Sequence, residues 1–309
     1  MYSTEITFGI VILLQFCIGV AVNNFLLLFF TRVISASQKP SSSDLILAHL
    51  VLANIIILLT CGILETLSAW GLRNFLDDAG CKILMYLYRV GRGLAICTTC
   101  LLSVFQAVTL SPGTSRWARV KFKLPRSILP SCLVSWVINL LIDFDTVIYM
   151  RGPQNGSGVR IILDLEYCSE VNDSAEVTLA VTILYSLRDL FFVGLMCVAS
   201  GYMIFLLHRH HQQVRYLHAP GCFPKAMPEV RAAKRVIALV TLYVLLYGRQ
   251  TITLFVLVNA KAKSPLLVKS HMVFSLTFSA FSPFLMIHSD GRMRTFGKRG
   301  SSVSALDSS

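Results

Sequence analysis

The sequence predicts an all-α membrane protein: a single bundle of seven transmembrane helices, N-terminus outside and C-terminus in the cytoplasm. Three observations predict it. Of 309 residues, 55% are hydrophobic and only 14% charged, and mean hydropathy is +0.66, too apolar for a surface that faces water on all sides. The apolar residues fall in seven long blocks, each near the roughly 20 residues that cross a bilayer. Lysine and arginine gather at one end of those blocks, seventeen against six at the other, and such a bias marks the cytoplasmic side.

The blocks are Ile6–Thr31, Asp44–Trp70, Cys81–Leu110, Ile128–Met150, Val177–Leu207, Val236–Val258 and Leu266–Ile287. Lipid offers no partner to a backbone amide or carbonyl, so each is expected to be a helix; none alternates as a barrel strand does. The first has only Glu5 before it and a run longer than a signal peptide's, so it reads as an uncleaved span. The second follows Arg32 and Lys39 and carries Glu65. The third opens at Cys81, carries Arg89 and Arg92, and meets the cytoplasm at Gln106 through Pro112. The fourth follows Arg116, Arg119, Lys121, Lys123 and Arg126, with Asp143 and Asp145 near enough to its outer end to snorkel. The fifth carries Arg188 and Asp189. An inner loop, His208–Val230, leads through Arg231, Lys234 and Arg235 to the sixth, which carries Arg249. The seventh ends in a short cytoplasmic tail, 288–309, and the whole chain, 1–309, reads as one domain without an internal repeat. The missing repeat counts against a transporter.

Of nine cysteines, only Cys81 and Cys168 lie where the oxidising exterior reaches them. A disulfide between them would pin the long outer loop, Arg151–Glu176, over the bundle. The same loop holds two glycosylation acceptors, Asn155-Gly-Ser157 and Asn172-Asp-Ser174. Cys97-Thr-Thr-Cys100 has redox or zinc spacing, but it sits midway along a membrane helix, where cysteine packs as a small apolar residue. The His208-Arg-His-His211 cluster stands at the inner end of the fifth block, where such side chains anchor helices at the headgroups.

Ionisable residues inside spans are costly and face the interior, paired or functional. Arg92 lies about 16 Å below Cys81 at 1.5 Å per residue. It shares a helix face with Met85 and Tyr88. It is either held in a buried ion pair with Asp189 or Glu65, or anchors an anionic or polar ligand group. The spans lack a serine–histidine pair, an aspartate pair or clustered histidines, since His49 and His271 lie at opposite faces; no enzyme and no cofactor is expected. Lys269 is too near the outer end of its span to hold retinal as a Schiff base. The net charge of +12 is accounted for by the cytoplasmic bias and attraction to anionic membrane lipid, not by nucleic acid.

Seven helices, an outer N-terminus, a disulfide staple and no catalytic set suggest a G-protein-coupled receptor. Four runs carry a closer resemblance: "SSSDLILAHLVLAN" (Ser41–Asn54), "GCKILMYLYRVGRGLAICTTCLLSVFQAVTLSP" (Gly80–Pro112), "RAAKRVIALVTLYVLLYGRQ" (Arg231–Gln250) and "SPFLMIHSD" (Ser282–Asp290). They resemble vomeronasal type 1 receptors, and "SRWARVKFK" (Ser115–Lys123) and "LLHRHHQQVRYLH" (Leu206–His218) resemble that family's inner loops.

The resemblance implies a pheromone-type chemosensory receptor in the plasma membrane of sensory neurons. It implies a small organic ligand, and coupling through a Gi/Go-type G protein to phospholipase C and a cation channel. Asn23, Asn54, Trp136 and Pro283 resemble the anchor positions of rhodopsin-like receptors. Phe105-Gln106-Ala107, however, stands where Asp-Arg-Tyr is usual. A ligand cavity is therefore expected in the outer half of the bundle, lined from Met85, Tyr88, Arg89, Arg92, Asp189, Tyr247, Gln250 and His271. The G-protein face is expected at Gln106, Arg116, Arg119, Lys121, Lys123, Arg231, Lys234 and Arg235. The alternative reading is a seven-span transporter or channel.

Overall fold

Each apolar block is largely helical in the computed structural model, which describes residues 2–37, 41–72, 75–112, 118–152, 161–164, 167–171, 174–217, 228–259 and 265–289. The end that carries the disulfide is taken as the outer one. Helix α1 (Tyr2–Ala36) buries Ile12, Asn23, Leu26 and Phe30, one face at helical spacing, against its neighbours in the bundle. Helix α2 (Ser42–Ile57) runs through a π turn, Leu58–Gly62, into α3 (Ile63–Ala69). The second span is thus continuous but locally over-wide, which re-aims the side chains beyond it. It stops at Gly71, whose φ of 87° suits glycine; Leu72 N bonds Leu67 O and Gly71 N bonds Ser68 O, closing the last turn.

Helix α4 (Asp78–Leu110) is capped by Asp77, whose carboxylate accepts the Gly80 amide at 2.8 Å. It ends at Ser111, before Pro112, where the preceding residue is biased out of helix. It is the most enclosed of the six units among the described residues that are apolar enough to cross a membrane, touching α2, α5 (Ala118–Ile142), α7 (Ala175–Leu217) and α8 (Pro228–Asn259). Helix α9 (Pro265–Ser289) closes the ring against α1 and α8. Among the described residues, α1, the α2–α3 unit, α4, the α5–α6 unit, α7 and α9 are long and apolar enough to cross a membrane.

Two features differ from expectation. The fourth block is broken at Asp143–Phe144 into α5 and a short α6 (Asp145–Tyr149). Asp143 does not snorkel: it is fully buried, turned inward to Arg188. The outer loop is also no plain loop. Strands β1 (Met150–Arg151), β2 (Ile161–Asp164) and β3 (Ser169–Val171) form an antiparallel sheet in the order β1-β3-β2. Asp78 accepts the Gly152 amide at 2.7 Å, and Cys168 is joined to Cys81 with Cα atoms 5.7 Å apart, so the sheet is fastened over α4 at two points.

The inner core is tied by amides. Asn23 Nδ2 donates to Gly19 O and Ser279 O, and Asn54 Nδ2 donates to Asn23 Oδ1 and Ser282 Oγ. This links α1, α2 and α9 where hydrocarbon outside leaves no competing partner. Cys97 and Cys100 are buried by packing; Asn139 Nδ2 lies 3.5 Å from the Cys97 sulfur.

Candidate functional site

The expected face of α4 does point inward. Met85 is buried, and Tyr88 and Arg92, one turn apart, line a cavity with Ile57, Ala95, Tyr243, Leu246, Tyr247, Phe274, Ser275, Phe278 and Ser279. The cavity measures about 40 Å³, room for a few waters. Its walls are aromatic: Tyr243 stacks on Tyr247 with centroids 5.7 Å apart and meets Phe278 edge-on at 5.1 Å. Arg92 is the cation among them, its guanidinium carbon 5.3 Å from the Tyr247 centroid, a cation–π arrangement. Arg249, outside the cavity lining, lies over the ring of Phe274.

Beside the cavity, four helices meet in a polar cluster. Asp189 accepts from Arg92 at 2.9 Å, from Tyr247 at 2.7 Å and from Arg188 Nε at 3.1 Å. Arg188 also donates through one terminal nitrogen to both Asp143 oxygens, at 3.1 and 3.2 Å, and to Asn139 Oδ1 at 3.3 Å. Above it, Arg89 pairs with Glu170 of β3 at 2.8 Å and lies 3.7 Å from Asp145. Tyr185 donates to Asp145. Three arginines and four acids thus bind α4, α7, α8, the α5–α6 break and the outer sheet together.

Arg92 therefore pairs with Asp189, not with Glu65. Glu65 is buried elsewhere, its two oxygens 2.6 and 2.8 Å from Ser275 Oγ, and Ser275 is itself a cavity wall. His271 lies one turn from Ser275 on α9, half-buried. The side chain of Gln250 lies outside the described residues, as do Asn155 and Asn172. Sequence reasoning listed Asp143, Asp145, Arg188 and Asp189 as charges but missed their connection. It missed Tyr185, Tyr243, Phe274, Ser275 and Phe278 altogether. The charges were the available signal; the aromatics carry none that separates a cavity wall from core.

At the inner end, Gln106 is buried and donates from Nε2 to Ser43 Oγ at 3.1 Å. It anchors α4 to the start of α2. Lys121 donates to Thr109 O at 2.7 Å and to Ser111 O at 3.5 Å, capping the terminal carbonyls of α4. Lys123, Arg231 and Lys234 are exposed and Arg235 is half-buried. Arg116 and the side chain of Arg119 lie outside the described residues.

Residues 6–299 match the family described as the Vomeronasal organ pheromone receptor family. The chain is 34% identical to Vomeronasal type-1 receptor 4 of Homo sapiens over 296 residues, covering 96% of this chain and 98% of that one. It is 37% identical to Vomeronasal type-1 receptor 2 of Homo sapiens over 279 residues, 90% and 70% of the two chains. It is 34% identical to Olfactory receptor class A-like protein 1 of Danio rerio over 288 residues, 93% and 90%. The crystal structure of squid rhodopsin superposes with a TM-score of 0.72 at 16% identity, covering 95% of this chain and 84% of that one, a likeness of fold.

Proposed function

The chain belongs to the vomeronasal organ pheromone receptor family, and on that premise we propose that it binds a small organic ligand in the aromatic cavity beneath the outer sheet and activates a Gi/Go-type G protein. Membership and the rhodopsin-like fold make it a chemosensory G-protein-coupled receptor of the plasma membrane, a receptor and not an enzyme. The ligand and the G-protein class are the proposed part. So are N-linked glycans on Asn155, Asn172 or both, and a cytoplasmic tail over 288–309.

The observation that carries the ligand site is Arg92. It stands on an aromatic wall with its side chain 32% exposed, while a guanidinium offers five N–H donors and Asp189 takes one of them. Apolar rings supply burial for a hydrophobic ligand body, and the remaining donors suit a carboxylate, carbonyl or hydroxyl. A ligand anion at Arg92 competes with Asp189, and Asp189 is also held by Tyr247 of α8. Binding would therefore loosen the tie between α4, α7 and α8, a differential contact able to shift a receptor between two states.

The test is a potency series in cells that express the chain and respond to an active odorant. Arg92→Ala and Tyr88→Ala should each raise the half-maximal concentration about tenfold or more, some 1.4 kcal/mol of lost contact, with surface level measured in parallel. Normal surface level with unchanged potency in both variants would place the ligand elsewhere.

A further inference from the structure

Helix α1 carries a second face that the bundle does not use. Ile10, Leu14, Cys17, Ala21, Asn24, Leu28 and Thr31 are all exposed, and their spacing of four and three residues, repeated, is that of a coiled-coil seam. The opposite side of the same helix holds Ile12, Asn23, Leu26 and Phe30, each fully buried. An apolar outward stripe alone would be plain lipid contact. Asn24 is what makes it more.

Asn24 lies seven residues before Thr31, about 10 Å of helix inside the expected inner boundary of the span. Its amide can donate two hydrogen bonds and accept two. Among the described residues it makes one, from Nδ2 to Val20 O at 2.9 Å. The outward hydroxyls of this bundle satisfy themselves: Thr31 bonds Leu27 O and Leu28 O, Ser186 bonds Thr182 O, and Thr241 bonds Ile237 O. A carboxamide cannot do the same, because its carbonyl oxygen has no donor to meet along its own helix, where the preceding turn presents only carbonyls. Facing hydrocarbon, that oxygen and the second N–H are left without partners.

We infer that the Ile10–Thr31 face of α1 is a homodimer interface, in which Asn24 pairs with the Asn24 of a second copy. The occupant follows from complementarity. An amide is both donor and acceptor, so two related by a two-fold axis along the membrane normal satisfy each other, which a lipid chain cannot do. Both copies share one membrane orientation, so the two α1 helices run parallel and bring identical positions face to face. Ala21 and Cys17, small and on the same stripe, let the backbones approach closely at that point. Cys17, an exposed free thiol two turns from Asn24, then faces its own counterpart and reports on the contact.

The experiment uses the full chain in cell membranes under mild oxidation, read on a non-reducing gel. A band of twice the monomer mass should form, vanish in Cys17→Ser and persist in Cys197→Ser, the other exposed cysteine among the described residues. Asn24→Leu should lower the dimerisation constant roughly 3- to 30-fold, the range for a polar pair between membrane helices, at unchanged surface level, and Asn24→Gln should retain most of it. In the Cys17→Ser background, Leu14→Cys and Ala21→Cys should cross-link, whereas Val11→Cys and Ile18→Cys, off the seam, should not. Cross-linking without this periodicity, or equal yield in Asn24→Leu, would overturn the assignment. So would a chain that stays monomeric at every position. None of these readouts depends on a ligand or a G protein.

Discussion

Arg188 shows how much one buried side chain can hold in a helical bundle. Its side chain is 8% exposed, and its partners Asp143 and Asp189 are 1% and 4% exposed; one fork spans both, Nε to one and a terminal nitrogen to the other. Removing one member of such a group strands buried charge, at a cost of about 3–5 kcal/mol. Arg188→Leu should therefore lower the thermal stability of the detergent-solubilised receptor and deplete it from the surface. Arg188→Lys should fare little better, because a point-like ammonium cannot reproduce the fork. A Lys variant as stable as the parent would show that the fork is not what matters. Little of this was legible in the sequence. Arg188 and Asp189 stand out as adjacent charges, but Asp143 is 45 residues away, and which helix faces turn together is decided by packing across the bundle, not by local pattern. The same holds for Glu65, whose hydroxyl partner Ser275 has no charge to flag it.

At the scale of elements, the glycine with least room for a side chain among those described is Gly93 of α4, which faces Asn139 of α5. A β-carbon there would strike the side-chain carboxamide of Asn139, its Cγ at 2.7 Å, and come within 3.3 Å of Arg188. Asn139 is itself fixed by bonds to Ser135 O and Cys97 Sγ and from Arg188, so it cannot step aside cheaply. Gly93→Ala should destabilise by about 1–3 kcal/mol, the usual cost of overpacking. Asn139→Ala should relieve part of it, so that the double variant is less damaged than the sum of the singles. Strict additivity in melting experiments would mean the two residues do not collide. The helices themselves were legible because hydrocarbon permits little else, and Pro112 marked the inner end of α4, although its outer end, capped by Asp77, begins three residues before the expected Cys81. The π turn at Leu58–Gly62, the break at Asp143 and the sheet in the outer loop were not. The π turn ends at Gly62, but one glycine in an apolar span does not specify an over-wide turn, and the break at Asp143–Phe144 contains neither proline nor glycine. The third uses strands of two to four residues, too short for an alternating pattern to show.

The whole molecule is a rhodopsin-like bundle with a fastened outer lid, a small aromatic cavity below it, and an inner end from which the usual arginine is missing. Gln106 does not replace that arginine: it is turned to Ser43 of α2 and buried. Lys121 is occupied at the end of α4. Exposed cationic side chains at the foot of α8 include Arg231 and Lys234, and with Arg235 they form the set proposed to meet the G protein. The long runs at Ser41–Asn54 and Gly80–Pro112 made the family legible at once, whereas the proposed G-protein face is a few surface charges that also suit lipid headgroups. The proposed function is a ligand-driven signal through a Gi/Go-type protein. The most direct measurement is the intracellular response of cells expressing the chain to a panel of small organic odorants, with and without inactivation of Gi/Go. A ligand-evoked response is expected that Gi/Go inactivation abolishes and that neutralising Arg231, Lys234 and Arg235 lowers at unchanged surface level. Ligand or ion flux that persists with Gi/Go inactivated, and is untouched by those substitutions, would contradict it.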